Sequence, residues 1–242
     1  MYRELYRFGG MTFVLESDAP LERSPVCEAF RVTDGVPDHT ICLRFSDALP
    51  TPPADALRRD DVFRWQAGAQ RHLLQWVSAP GDIPHFTYAV THGAHTDVIF
   101  ASAYRTGASV STALEAVGLF DVFAARGMLV LHSAYIVTSA GEAILFSGPS
   151  GIGKSTQAAL WERCAGARVV NGDRALVDVG KKTANGIFYS GTSGISENVT
   201  APVRAIVLLG QGSENRVFVP SPQAAFAGVL SQCAYYEWDV FS

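Results

Sequence analysis

A chain of 242 residues suits one large domain or two small ones. Charged residues make up only 17%, against roughly 25% in an average soluble domain, while 48% are apolar and the formal net charge is −4 with no run of Lys or Arg. This balance argues against a nucleic-acid backbone as partner and provides ample apolar material for a core, with room for a buried contact in a homo-oligomer.

The opening Met1-Tyr-Arg-Glu-Leu-Tyr-Arg7 lacks the basic-then-apolar layout of a signal peptide. No apolar run approaches the ~18–20 residues of a membrane span. The expectation is a soluble, cytoplasmic protein with no membrane partner. Cys27, Cys42, Cys164 and Cys233 stand far apart without a C-x-x-C pair, so they read as reduced core thiols rather than zinc ligands or a disulfide framework.

Residues 1–105 read as a β-rich region of unassigned role. Met11–Leu15, Ala29–Thr33, Thr40–Phe45, Val62–Trp65, Leu73–Val77, Phe86–Val90 and Val98–Ala101 are rich in β-branched and aromatic residues. Asp34-Gly35, Pro50-Thr-Pro-Pro53 and Pro80-Gly81 punctuate them, and a mostly antiparallel sheet fits. His92 and His95 form a close pair with no neighbour in sequence to complete a metal shell, and read as surface residues.

Residues 106–242 have a different texture. Ser111–Ala125 predicts a largely buried helix through Leu114, Val117, Phe120 and Phe123, ended by Gly127. Met128–Val137 and Glu142–Phe146 predict two strands around the turn Ser139-Ala-Gly141. A glycine-rich segment follows at once, then a helix from about Lys154 to Arg163 closed by Gly166. The apolar strand Ala167–Asp173 comes next, then a Lys181-Lys182 turn, the polar stretch Ser190–Asn198 and a strand Ala205–Leu209.

The segment reads Gly148, Pro149, Ser150, Gly151, Ile152, Gly153, Lys154, Ser155, Thr156, which satisfies G-x-x-x-x-G-K-[ST] in full. The glycines let backbone N–H groups turn inward around a phosphate. Lys154 brings a point charge to the β- and γ-phosphates, the Ser155 hydroxyl suits Mg²⁺, and the helix N-terminus favours the same anion. By chance the pattern arises in about one chain in a hundred of this length. The expected ligands are ATP and Mg²⁺.

An acid, Asp173, stands nineteen residues after Lys154 at the end of an apolar strand. From the residues alone, Asn171-Gly-Asp173 is good turn chemistry, and Asp173 reads equally as a turn residue or a metal ligand. His132 lies on an apolar strand, where it is either a satisfied core histidine or a base beside the phosphate.

The run Leu131-His-Ser-Ala-Tyr-Ile-Val137, the loop 148–156 and Val169-Val-Asn-Gly-Asp-Arg174 together resemble the catalytic domain of HPr kinase/phosphorylase. The likeness to the HPr-kinase-like relatives of that domain, in the phosphoenolpyruvate-carboxykinase superfold, is closer. It covers about residues 110 to 230. The resemblance implies an α/β (α+β) fold, a mixed and largely antiparallel sheet core carrying a P-loop. It also assigns catalytic roles to His132, Lys154 and Asp173, and metal binding to Ser155 and Asp173. The Gly-Thr-Ser-Gly segment at 191–194 matches a similar segment in these relatives and implies a substrate loop.

One departure bears on chemistry. The first acid of the family's pair corresponds to Gly172, which leaves that space open on this reading. His132, Asp178 or Glu197 then compete for the role of base, and Arg174 faces either a phosphate or Asp178. HPr is not the expected substrate. The sequence predicts a kinase that moves the γ-phosphoryl group to a hydroxyl on a protein, a peptide or a small molecule. The alternative is a nucleotide-binding sensor without transfer activity.

Overall fold

The computed structural model describes residues 1–48, 50–77 and 85–234 of the chain; the turn at Pro80-Gly81 lies outside them. The chain is mixed α/β, mostly strand, and its sheets are mostly antiparallel. It divides into two compact units, Met1–Leu119 and Phe120–Ser242. Among the described residues no helix is long and apolar enough to cross a membrane, and all four cysteines are free thiols.

In the first unit, β1 (Tyr2–Phe8) and β2 (Met11–Ser17) form a hairpin, followed by α1 (Pro25–Glu28), β3 (Arg31–Val32) and β4 (His39–Phe45). Then come β5 (Leu57–Arg59), β6 (Val62–Ala67), β7 (Gln70–Val77), β8 (His85–His92), β9 (His95–Phe100) and the helix α2 (Val110–Ala116). The nine strands lie in the order β3-β1-β2-β4-β9-β8-β7-β6-β5. Every pairing is antiparallel except β2–β4 and β4–β9.

Alternation of side chains decides which face is dry. Tyr6, Phe8, Phe13, Ile41, Leu43 and Phe100 are fully buried, and Phe8 packs on Phe13 and Phe30 with ring centroids 5.6 and 5.0 Å apart. The alternate positions, among them Glu16, Cys42, Asp97, Trp65 and Tyr88, are only partly buried.

The helix expected over Ser111–Ala125 is two helices, α2 and α3 (Leu119–Ala124). Gly118 between them has φ +68°, a left-handed turn that no α-helix accommodates in its interior. The apolar spacing alone did not reveal this break. Gly127 follows in a left-handed conformation, as read from the sequence.

The second unit is organised by one long strand, β10 (Met128–Val137). Its first half pairs with β13 (Arg174–Asp178) and its second half with β11 (Ala143–Ser147) and β12 (Arg168–Asn171). Strand β14 (Thr183–Asn185) joins β13 to the start of β15 (Thr200–Leu208), whose later half runs parallel to β11. The pairings β10–β11–β15–β14–β13–β10 therefore close on themselves.

Inside that ring lie Leu131, Tyr135, Ala143, Leu145, Val170, Ala175, Ala184 and Ala201. The alanines keep the ring narrow enough for one tyrosine to span it, and the Tyr135 hydroxyl donates to the Ala184 carbonyl at 3.1 Å. Outside the ring, α4 (Lys154–Ala165) covers Ala134, Ile136, Ile144 and Phe146, mainly through Ala158. The helix α5 (Pro222–Leu230) and the short β16 (Cys233–Ala234) are the last elements among the described residues.

Candidate phosphate-binding site

The loop starts where β11, buried along its whole length, reaches the end of the sheet. Gly148 has φ +149°, and a Cβ there would lie 3.2 Å from Ile152 Cγ2 and 3.3 Å from the Leu209 carbonyl oxygen. Backbone and space both require glycine. Gly151 and Gly153 also have positive φ, +77° and +110°, and turn the chain through open space into α4. Pro149, Ser150, Ser155 and Thr156 are exposed, and Ile152 and Gly153 half-buried, so the rim of the loop faces solvent.

Lys154 is only 7% exposed. Its Nζ donates to the carbonyl oxygens of Gly148 at 2.9 Å and Pro149 at 3.0 Å. A lysine expected to face its ligand instead lies folded into its own loop, which uses two of its three N–H donors. Burial lowers its pKa, and the negative charge of Asp173 opposes that shift. The lysine and the acid are thus within electrostatic reach of one another.

Asp173 is held by a residue that sequence reading did not single out. Asn171, fully buried at the end of β12, accepts the backbone N–H groups of Asp173 and Arg174 on Oδ1, both at 2.9 Å. Its amide donates to the Ile187 carbonyl at 2.7 Å. The Asn-Gly-Asp run carried the signal, because asparagine side chains close such turns onto the following backbone.

This turn meets β10, where His132 is the register partner of Arg174. His132 Nε2 lies 3.5 Å from Asp173 Oδ1, and Arg174 Nε 3.2 Å from Oδ2. Ser147, the last residue of β11, donates its hydroxyl to the His132 carbonyl at 2.8 Å, tying this strand to the start of the loop. The Arg174 guanidinium lies 5.3 Å from the Tyr189 ring centroid and 5.8 Å from that of Phe120. Arg174 is therefore partnered by Asp173. Asp178 instead lies 2.9 Å from Lys181 Nζ.

The hydrogen bond from His132, and then the charge of Arg174, hold Asp173 below its ordinary pKa, against desolvation that pushes it up. A depressed carboxylate stabilises the fold above its unfolded pKa, about 3.9, and loses that contribution as pH falls through the folded value. The stability gap between the wild type and Asp173→Asn is therefore expected to narrow below about pH 4. Thermal unfolding across pH checks this, and a gap constant down to acid pH would remove the charged role.

Of the three competing bases, His132 is beside Asp173. Asp178 is bonded to Lys181, and Glu197 Oε2 sits 2.6 Å from Arg168 Nε.

The space at Gly172 is not open. A Cβ there would overlap the Ser193 side chain. Ser193 belongs to the turn Gly191–Ser193, and its hydroxyl donates to the Ser190 carbonyl at 2.7 Å. Gly191, with φ +54°, lies so close that a Cβ on it would come within 2.8 Å of the Asp173 Cγ. The Gly-Thr-Ser-Gly segment thus packs directly on Gly172 and Asp173.

No family model matches this chain, and no curated protein matches it either.

Proposed function

We propose that the second unit is a Mg²⁺-ATP-binding domain of the HPr-kinase-like type, in the phosphoenolpyruvate-carboxykinase superfold. On this reading it is a kinase acting on a hydroxyl of a protein, a peptide or a small molecule other than HPr. The observation that carries this reading is the meeting of a complete glycine–lysine loop with the cluster His132–Asp173–Arg174, tied together where the Ser147 hydroxyl at the start of the loop donates to the His132 carbonyl. The antiparallel hairpin β10–β11 that leads into the loop, and the largely antiparallel ring around it, support the fold assignment. Four free thiols agree with a cytoplasmic setting.

The residues fit such a ligand. Gly148–Thr156 offer backbone N–H groups around an anion, at the N-terminus of a twelve-residue helix. Ser155 and Asp173 offer oxygen ligands to Mg²⁺. Each Asp173 oxygen has one partner here and keeps a further lone pair. When bound, ATP supplies the phosphoryl group and Mg²⁺ neutralises charge on its oxygens. Lys154 exchanges its two loop carbonyls for phosphate oxygens. His132 Nε2 lies 3.5 Å from Asp173 Oδ1, and in the tautomer with the proton on Nε2 the ring's Nδ1 can take the acceptor's hydroxyl proton.

γ-Labelled ATP incubated with cell extract tests the transfer. Label is expected on an acceptor with the wild type and is expected to fall by ~10²–10⁴ with His132→Gln. Binding of ATP with no labelled acceptor would favour a nucleotide-binding sensor, the reading supported by Ser193 filling the space beside Gly172. Asp173→Asn separates the metal role from a structural one. It is expected to weaken nucleotide binding more with Mg²⁺ present than in chelator, as calorimetry would record. An equal loss in both conditions would make Asp173 a turn residue only.

A further inference from the structure

We infer a zinc site on the first unit, formed by Cys42, His95 and Asp97, with Glu16 beside it. The three strands that supply these residues run parallel and in register, with Glu16 opposite Cys42 and Cys42 opposite Asp97. Cross-strand partners share a face, and His95 joins that face two residues before Asp97. This is the half-buried face of the sheet, away from the phenylalanine core, and a metal reaches it from solvent.

The ligand atoms are already gathered. One donor atom each from Cys42, His95 and Asp97 lies within 4.8 Å of the others. His95 Nε2 stands 3.4 Å from Asp97 Oδ2, and Cys42 Sγ 3.7 Å from Glu16 Oε2. Tetrahedral zinc with bonds of ~2.0–2.3 Å sets ligand atoms about 3.3–3.6 Å apart, so atoms that now lie within 4.8 Å of one another close by at most about 1.5 Å through side-chain rotation.

Both carboxylates are oriented from behind. Arg44 Nη2 takes Asp97 Oδ1 at 2.9 Å, and Arg3 Nε lies 3.4 Å from Glu16 Oε1. The other oxygen of each turns toward the histidine and the thiol. Outer partners of this kind fix ligand geometry in metal sites. A mixed thiolate, imidazole and carboxylate set suits zinc among the common divalent ions, better than the all-oxygen shells of Mg²⁺ or Ca²⁺.

The site is independent of the phosphate loop and is tested without nucleotide. Full-length protein, stripped with chelator, is titrated with Co²⁺ as a spectroscopic substitute for zinc. The wild type is expected to develop a thiolate-to-cobalt charge-transfer band with tetrahedral d–d bands, and added Zn²⁺ is expected to bleach both. Cys42→Ser is expected to lose the charge-transfer band, and His95→Gln and Asp97→Asn to weaken Co²⁺ binding, each with an unchanged circular dichroism spectrum. Cys164→Ser, at an exposed thiol on α4, is expected to leave the bands intact. Failure of the wild type to bind Co²⁺, or a band that survives Cys42→Ser, overturns the inference.

Discussion

Lys154→Ala is expected to weaken ATP binding roughly 10- to 150-fold, the equivalent of about 1.5–3 kcal/mol for one hydrogen bond to a charged group. The ammonium is bound to the Gly148 and Pro149 carbonyls, and that geometry braces the loop proposed to hold the phosphates. Alanine removes both the charge and the brace. Pro149 is exposed, so water replaces the donor there, while the buried Gly148 carbonyl loses its partner at about 1–3 kcal/mol, and the unit is expected to stay folded. Lys154→Met keeps the buried stem and removes only the charge, and a similar loss of affinity in that variant assigns the effect to the ammonium. Calorimetry measures both, and unchanged affinity in either would exclude Lys154 as the phosphate lysine.

The second large effect is expected at Asn171. Replacing it by Ala strands the N–H groups of Asp173 and Arg174 in a half-buried turn, while the Ile187 carbonyl keeps the Ser196 hydroxyl at 2.6 Å. Leaving such a group unpaired costs about 1–3 kcal/mol, and because neighbouring losses are not additive the total for the two is expected near 2–4 kcal/mol. Asn171→Asp keeps the acceptor but buries a carboxylate whose second oxygen faces the Ile187 carbonyl, so a loss at least as large is expected. Urea unfolding of the two variants resolves the difference. A loss below about 1 kcal/mol for Asn171→Ala would mean that the turn is held by its backbone alone.

The course of the glycine–lysine loop was legible because its parts are contiguous. A buried strand, three positive-φ glycines, a lysine and a helix closed by Gly166 follow one another between Ala143 and Gly166, and their boundaries fall within one or two residues of expectation. The surroundings of Asp173 were not legible in the same way. His132 reaches it through the register of β10 against β13, and the Gly191–Ser193 turn covers Gly172 through a chain reversal that leaves no periodic trace. The open space expected at Gly172 failed for that reason.

In the first unit, β1 was overlooked because its Arg and Glu residues mask an alternating strand pattern, Tyr2–Phe8. The parallel neighbours β2, β4 and β9 are joined by long excursions, so no local spacing could reveal that Cys42 stands beside His95 and Asp97. His95 therefore read as a surface residue without companions.

Hydrogen–deuterium exchange with and without Mg²⁺-ATP tests the binding site most directly. Saturating nucleotide is expected to slow exchange at the amides of residues 149–156, with smaller protection in the turns around Asp173 and Gly191–Ser193 and none across the first unit. Unchanged exchange through 149–156 at millimolar Mg²⁺-ATP would contradict phosphate binding by this loop.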